Sequence, residues 1–291
     1  MGNLQEQDWE ILLLNIQTKE CTPFIGAGAG TGYLPDGAKL AEELVNGTDY
    51  PFEDVSLVAV SQYLAIVKQS MFPKNVIKDR IQGAPFPPYD ETDEPHAAMA
   101  DLELPLYVTT NYDDFMFRAI QLRRGLEPYR AFCPWNNHER VRDAHEHLPR
   151  PYKPTSDKPL VYHLHGHWET AQSMVVTEAD YLSFLIEMTR GNPLHPAVRD
   201  ALSSSMLLFL GYSLSDWSFR VLFRSIFESQ RANLDYPSIA IQLPPNKVRA
   251  DKRDQAREYL ETYFRRMLKI DKVSVFWGDV REFTSELRGR L

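Results

Sequence analysis

The chain has 291 residues, of which 43% are hydrophobic and 25% charged, values typical of a globular protein with a full core. Its formal net charge of −8 argues against a protein that grips nucleic acid with its own surface, and two cysteines are too few for a four-cysteine zinc module. Asp8 and Glu10 stand where a signal peptide would be basic and then apolar, and no apolar run reaches the roughly 20 residues of a membrane helix. We therefore expect a soluble cytoplasmic protein that contacts neither a membrane nor nucleic acid directly.

The first predicted strand, Thr22–Ile25, leads directly into a glycine-dense turn that ends at Gly32. A helical segment, Ala38–Val45, follows the turn. Glycines permit positive φ and close approach of the backbone, and a helix N-terminus offers unpaired N–H groups, so this order predicts a pyrophosphate site. The spacing from Gly26 is G-x-G-x-G-x-G, which differs from the common dinucleotide fingerprint.

The rest of the chain alternates between helical patterns and short apolar runs. Residues 39–102 form an insert with helical patterns only, at Val55–Val67, Val76–Ile81 and His96–Leu102. Further strands are predicted at Leu106–Thr109, Leu160–Leu164, Met206–Leu210, Ser238–Leu243 and Val273–Trp277. Helices are predicted at Phe115–Leu122, Tyr181–Met188, Trp217–Phe227 and Arg249–Leu268, and residues 133–159 receive no assignment. This alternation predicts an α/β fold, a Rossmann-like doubly wound, mainly parallel sheet, as one domain over residues 1–291 with the helical insert inside it.

Ligands of doubly wound sheets bind beyond the carboxyl ends of the strands, so polar residues that follow the apolar runs are candidates for a site. Thr110, Asn111 and Asp113 follow the second strand. Asn111 and Asp113 suit ribose hydroxyls or an amide, but both residue types also cap helices without any ligand.

His165 and Gly166 follow the strand Leu160–Leu164. A histidine at a strand end suits a general base, because its ordinary pKa lies near working pH, and it also fits a hydrogen-bonded residue in a turn. His163, which alternates with His165, is interpreted as structural. A metal site at His163, His165 or His167 is an alternative, although no carboxylate stands at suggestive spacing.

Gly211 and Ser213 follow the strand Met206–Leu210 and are candidates for contact with a phosphate or ribose. Ser213 with Asp216 also fits a capping box, and the two interpretations are compatible because a cap and a ligand use the same helix end. Thr177 and Asp180 form a second predicted capping box, to which we assign no chemistry.

Taken in order, these segments resemble the catalytic core of the sirtuins. That family carries a Gly-Ala-Gly turn, an Ile-Pro-Asp, a Thr-Gln-Asn-x-Asp, a His-Gly and a Gly-x-Ser. The corresponding residues here are Gly26-Ala27-Gly28, Leu34-Pro35-Asp36, Thr109–Asp113, His165-Gly166 and Gly211–Ser213. The forms Thr-Asn-Tyr-Asp, Leu-His-Gly and Gly-Tyr-Ser-x-x-Asp are most similar to a bacterial sirtuin-like group of anti-phage defence, whose members typically hydrolyse NAD+ and deplete it.

The resemblance implies that NAD+ is the substrate and that no metal is needed. It assigns catalysis to Asn111, which would position water or a ribose hydroxyl, and to His165 as the base. The pyrophosphate would lie against the backbone N–H groups of Gly26, Ala27 and Gly28. The remaining contacts to NAD+ would come from Asp36, Thr110, Asp113, Gly211 and Ser213.

Two departures from the deacylase pattern favour hydrolysis of NAD+ over protein deacylation. The four zinc cysteines are missing, and Gly37 and Ala38 replace the phenylalanine-arginine that follows the aspartate, which would leave the ribose carbon open to water. The resemblance also implies a homo-oligomer and, as partner in trans, a HerA-like DNA-translocating ATPase. An NAD+- or ADP-ribose-binding sensor without turnover and an NAD+-dependent deacylase remain as alternatives.

Overall fold

The computed structural model of the protein describes residues 4–190, 193–212, 238–243, 250–268 and 273–291. Its strands are β1 (Cys21–Ile25), β2 (Leu106–Thr109), β3 (Tyr129–Phe132), β4 (Leu160–His163), β5 (Met206–Leu210), β6 (Ser238–Gln242) and β7 (Val273–Trp277). The helices before β3 are α1 (Glu6–Gln17), α2 (Gly37–Val45), α3 (Leu57–Val67), α4 (Phe72–Gln82), α5 (Pro95–Asp101) and α6 (Phe115–Arg124). Those after it are α7 (Glu139–Arg142), α8 (Glu178–Arg190), α9 (Pro196–Ser204), α10 (Arg253–Leu268) and α11 (Val280–Arg288).

The seven strands form one parallel sheet in the order β3-β4-β2-β1-β5-β6-β7. The strands β2, β3 and β4 lie on one side of β1, and β5, β6 and β7 lie on the other, so the topological switch lies between β1 and β5. This arrangement confirms the predicted Rossmann-like doubly wound fold. In such a sheet the crevice beside the switch point is where a ligand is expected.

The register of the sheet brings four strand ends to one level. Ile25 pairs with Thr109 on one side and with Leu210 on the other, and Thr109 pairs with His163. The chain therefore leaves β1, β2, β4 and β5 at a common height. Because all four strands run parallel, the polar residues that follow them gather at the same edge of the sheet.

Helices cover both faces of the sheet. On one face, buried residues of α1, α5, α6 and α11 form a cluster in which the Trp9 and Phe283 rings stack with centroids 5.5 Å apart. On the other face α8, α9 and the segment 133–159 contribute a second cluster that includes Trp135 and Phe184. Strand residues alternate between the two clusters, since Tyr107 enters the first and Val108 the second.

The helices α2, α3 and α4 pack beside the sheet around a small cluster of their own, formed by Ala41, Leu44, Val60 and Leu64. A further cluster joins α2 and α4 to the segment 171–176 of the main body. The last helix of the predicted insert, α5, packs instead against α6 and α11. No helix among the described residues is both long enough and apolar enough to cross a membrane.

The sequence analysis missed β3, α9 and α11. β3 is an edge strand whose residues are mostly half-exposed and include Arg130, so it lacks the continuous apolar run by which the other strands were predicted. The segment 133–159, left unassigned, contains the one-turn helix α7 and buries Trp135 and Leu148. The helix predicted at Trp217–Phe227 lies outside the described residues.

Candidate functional site

A cavity of about 220 Å³ lies beyond the carboxyl ends of β1, β2, β4 and β5. The loops after these strands contribute Ala27, Gly30, Thr110, Asn111, Tyr112, Asp113, His165, Gly211 and Tyr212 to its lining. The segment before α2 and the helices α2, α3, α4 and α8 complete it with Leu34, Pro35, Gly37, Leu40, Leu57, Ile77, Arg80, Ile81 and Tyr181. The cavity is thus placed between the sheet edge and the helical insert.

The glycines at the end of β1 are required by close packing. Gly26 has an extended backbone with φ −110°, and a Cβ there would lie 2.9 Å from the Gly211 carbonyl oxygen. A Cβ at Gly28 would lie 2.8 Å from Gly211 Cα. Positive φ, the other property expected of the glycine turn, occurs at Gly32, where φ is +96°, and also at Gly211 across the contact, where φ is +72°. The loops after β1 and β5 therefore approach too closely for side chains.

Two of the amide groups expected to receive a pyrophosphate are bonded within the protein. Gly26 N–H donates to the Leu210 carbonyl at 2.8 Å and Gly28 N–H to the Gly211 carbonyl at 2.9 Å. Ala27 lies between them and lines the cavity, whereas Gly26 and Gly28 do not. In this conformation the two glycines shape the turn and do not offer their N–H groups to a ligand.

The helix expected directly after the glycine turn begins later. A short 3-10 helix, Ala27–Gly30, follows β1, and α2 starts at Gly37 with Asp36 as its N-cap. The Asp36 carboxylate accepts a 2.9 Å hydrogen bond from Lys39 N–H. Asp36 is exposed and lies outside the cavity lining, while its neighbours Pro35 and Gly37 line the cavity.

The loop after β2 supplies four consecutive lining residues, Thr110 to Asp113. The Asn111 backbone is fixed on both sides, since its N–H donates to Thr109 Oγ1 at 3.0 Å and its carbonyl lies 2.9 Å from His163 Nδ1. Its side-chain amide makes no hydrogen bond with the described part of the chain. Asp113 Oδ1 accepts from Phe115 N–H at 2.9 Å, which is the capping bond the sequence allowed, and burial raises the pKa of this carboxyl.

His165 lines the cavity and is 6% exposed. Its ring stands nearly perpendicular to those of Tyr181 and Phe184, with centroids 5.3 and 5.4 Å away. Its Nε2 is buried and has no hydrogen-bond partner among the described residues. Burial lowers the pKa of His165 to about 3, which corrects the expectation of a pKa near working pH. The imidazole is therefore neutral at pH 7.

The neighbouring histidines lie outside the cavity lining. His163 contacts the Asn111 carbonyl, and its ring centroid is 4.8 Å from that of His167. His167 Nε2 lies 3.1 Å from Asp114 Oδ1, and Arg130 Nη2 contacts the same oxygen at 2.6 Å. In the described part of the chain, no group of three or more His, Cys, Asp or Glu side chains is placed to hold a metal ion. These histidines instead connect the loops after β2 and β4.

The residues after β5 join the lining through Gly211 and Tyr212. The Tyr212 hydroxyl donates to the Ile25 carbonyl at 3.1 Å and accepts from Thr110 Oγ1 at 3.1 Å. This tyrosine therefore ties the ends of β1, β2 and β5 together. Ser213, a candidate for contact with a phosphate or ribose, and its capping partner Asp216 lie outside the described residues.

Sequence reasoning assigned no role to several residues of the lining. Tyr112 and Tyr212 stand inside quoted motifs, so the motifs themselves were the available signal. Arg80, Ile77 and Leu57 come from the insert, and nothing in their sequence indicates that α3 and α4 fold over the sheet edge. Only the tertiary packing of the insert reveals them.

A sequence model of the SIR2-like domain matches residues 105–268, which is more than half of the chain. The chain belongs to the SIR2-like domain family. The matched region contains the loops after β2, β4 and β5, and membership supports an NAD-related function. No curated protein matches the chain. Among solved structures, one described as "Structural Basis for the Mechanism and Regulation of Sir2 Enzymes" is 13% identical, covers 97% of this chain and 94% of that chain, and has a TM-score of 0.39.

Proposed function

We propose that this SIR2-like protein hydrolyses NAD+ at the bond between nicotinamide and ribose, giving nicotinamide and ADP-ribose. The supporting observation is the pair formed by Asn111 and His165 on one cavity. The Asn111 amide has no partner in the described chain, and His165 has a buried Nε2 without one. Buried polar atoms are nearly always hydrogen-bonded, so an unpaired imidazole nitrogen beside a cavity fits a group that meets a ligand or water there.

The chemistry requires a base and stabilisation of positive charge. As the C1′–N bond breaks, its electron pair returns to the nicotinamide ring nitrogen and positive charge develops on the ribose. A water oxygen bonds to C1′, and its proton passes to His165, directly or through a ribose hydroxyl. The imidazole is unprotonated at pH 7, as a proton acceptor must be. Asn111 positions the water or hydroxyl, and Asp113 orients the carboxamide or ribose.

The biological role we propose is depletion of NAD+ as an anti-phage effector. Its basis is the similarity of the motifs at Thr110–Asp113, Leu164–Gly166 and Gly211–Asp216 to the defence group. An enzyme that destroys NAD+ needs an external trigger, and we propose homo-oligomerisation and a HerA-like ATPase in trans as its control. Mass measurement of the chain alone and mixed with the ATPase tests both, and a monomer in both samples would overturn them.

The decisive experiment incubates the purified full chain with NAD+, alone and with the candidate ATPase, and follows nicotinamide and ADP-ribose by chromatography. We expect His165→Ala to lower cleavage by about 100-fold or more, the usual effect of removing a general base. His138→Ala is the matched control, because His138 is exposed and lies outside the cavity lining.

Three outcomes would overturn the proposal. A folded His165→Ala protein with full cleavage would remove the assigned base. Wild-type protein that binds NAD+ or ADP-ribose and forms no product in either condition would instead be a sensor or scaffold. Release of an acyl group from an acyl-lysine peptide, at the expense of NAD+, would identify a deacylase.

A further inference from the structure

The cavity has an uneven charge distribution. Among the lining residues that the structure describes, the acidic and basic side chains are Asp113, Arg80 and His165. Asp113 belongs to the loop after β2 and is 7% exposed. Arg80 belongs to α4 of the insert and is the only basic side chain of this described lining other than the neutral His165. Within this described lining, an anionic part of a ligand would therefore have one guanidinium to contact.

Arg80 is held on the cavity side of α4 by the helix itself. Ile77, Arg80 and Ile81 are spaced by three and four residues, so they share one face of the helix. All three line the cavity, and Ile77 is fully buried. The packing of Ile77 against Leu40, Met174 and Val176 fixes the helix face that carries the guanidinium.

The guanidinium is held weakly and is accessible. Arg80 Nε lies 3.2 Å from Glu43 Oε2, and the two side chains are 42% and 46% exposed. This is a single contact through Nε, so the guanidinium retains its terminal N–H groups for another acceptor. Exposed ion pairs of this kind contribute little to stability, and Glu43 is therefore readily exchanged for a second anion.

A dinucleotide brings a dianionic pyrophosphate into a cavity whose described lining holds one arginine and no lysine. The N–H groups of Gly26 and Gly28 are bonded to carbonyls of the β5 end. Asp113 is a carboxyl group on the same cavity, and the chain as a whole carries a net charge of −8. The planar guanidinium of arginine matches two phosphate oxygens at once, which a lysine does not.

We infer that Arg80 is the residue by which this cavity recognises a phosphate group of its dinucleotide, leaving Glu43 to bind that phosphate. The inference rests on the proposed function, since it presumes a dinucleotide ligand. It assigns a specificity role to the insert, whose helix α4 brings a cation to the cavity at the carboxyl ends of the strands. The recognised group is either the pyrophosphate or a 2′-phosphate, and ligand choice distinguishes them.

Calorimetric titration of the full chain with ADP-ribose, NADP+ and nicotinamide riboside tests the inference. If Arg80 contacts the pyrophosphate, Arg80→Gln should lower the affinity for ADP-ribose and NADP+ at least 10-fold and the affinity for nicotinamide riboside less than 2-fold. If Arg80 contacts a 2′-phosphate, only the affinity for NADP+ should fall. The affinity of Arg80→Lys for the affected ligand should lie between those of wild type and Arg80→Gln. Glu43→Gln should bind that ligand more tightly, because the substitution removes the competing carboxylate.

Lys78→Gln is the matched control, since Lys78 lies on the same helix and outside the cavity lining. Equal loss for all three ligands, or no loss for any of them, would overturn the inference. Because binding is measured directly, the two proposals fail separately. A wild-type protein that binds ADP-ribose and does not cleave NAD+ would contradict only the proposed hydrolase activity. An Arg80→Gln protein with normal affinities would contradict only the proposed phosphate contact.

Discussion

At the scale of single residues, the structure adds the protonation state of the proposed base, His165, which the motif alone does not determine. The sequence places His165 at a strand end and leaves its protonation open. The structure buries the ring against Tyr181 and Phe184, and that burial lowers its pKa to about 3. A charged imidazole is penalised there because neither aromatic ring offers it a charged partner. The imidazole thus stays neutral over a wide pH range.

This burial predicts an unusual pH profile for the proposed cleavage. A histidine whose pKa is lowered keeps its neutral form as the pH falls. The kcat/KM for NAD+ should therefore change less than about 2-fold between pH 8 and about pH 5.5. A histidine with an ordinary pKa of about 6.5 would lose about 10-fold over the same interval. Initial rates at low NAD+ concentration measure the difference, and an inflection near pH 6.5 would contradict the assignment.

At the scale of elements, the cavity depends on how the insert is fastened to the main body. Lys74 of α4 forms a 2.9 Å ion pair with Asp180 of α8, and the two side chains are only 7% and 14% exposed. Asp180 also accepts from Val176 N–H and Thr177 N–H, and Thr177 Oγ1 accepts from Asp180 N–H. The predicted capping box is confirmed, and its carboxylate has a second function that sequence spacing did not indicate.

Removal of the cation at this junction should therefore be costly. We expect Lys74→Met to lower the free energy of unfolding by about 3 kcal/mol, because it leaves the largely buried Asp180 carboxylate without its counter-charge. Lys68→Met, at an exposed position after α3, should change it by less than about 0.5 kcal/mol. Urea denaturation measures both. Equal stability of the two variants would show that Asp180 is satisfied by its backbone donors alone.

At the scale of the whole molecule, several buried neutral histidines make folding dependent on pH. Burial lowers the pKa of His163 and His165 to about 3 and that of His145 to about 4. In the unfolded chain each takes up a proton near pH 6.5, whereas in the folded chain it does so only well below that. The free energy of unfolding that depends on these neutral histidines is fully present above pH 6.5 and is lost as the pH falls towards 4.

The expected consequence is marked acid sensitivity. Each of these histidines lowers the free energy of unfolding by up to about 1.4 kcal/mol per pH unit below pH 6.5. The melting temperature should therefore fall by about 10 °C or more between pH 7 and pH 5. Thermal unfolding followed by circular dichroism at both pH values measures the shift. An unchanged melting temperature would mean that the histidines already bind protons in the folded state.

The sequence by itself determined the positions of six of the seven strands and the residues at their ends. Continuous apolar runs located β1, β2, β4, β5, β6 and β7, because buried parallel strands need apolar side chains on both faces. The polar residues directly after those runs, such as Asn111 and His165, follow from the chain order alone. The strand β3 was missed because an edge strand carries no such run.

Only the tertiary structure decided what surrounds those strand ends. The contact of Gly26 and Gly28 with Gly211 joins segments almost 200 residues apart, and no local pattern encodes it. The same holds for the burial that sets the pKa of His165 and for the face of α4 that brings Arg80 to the cavity. Local sequence fixes the period and polarity of an element. Proximity, burial and charge environment depend on which distant elements pack together.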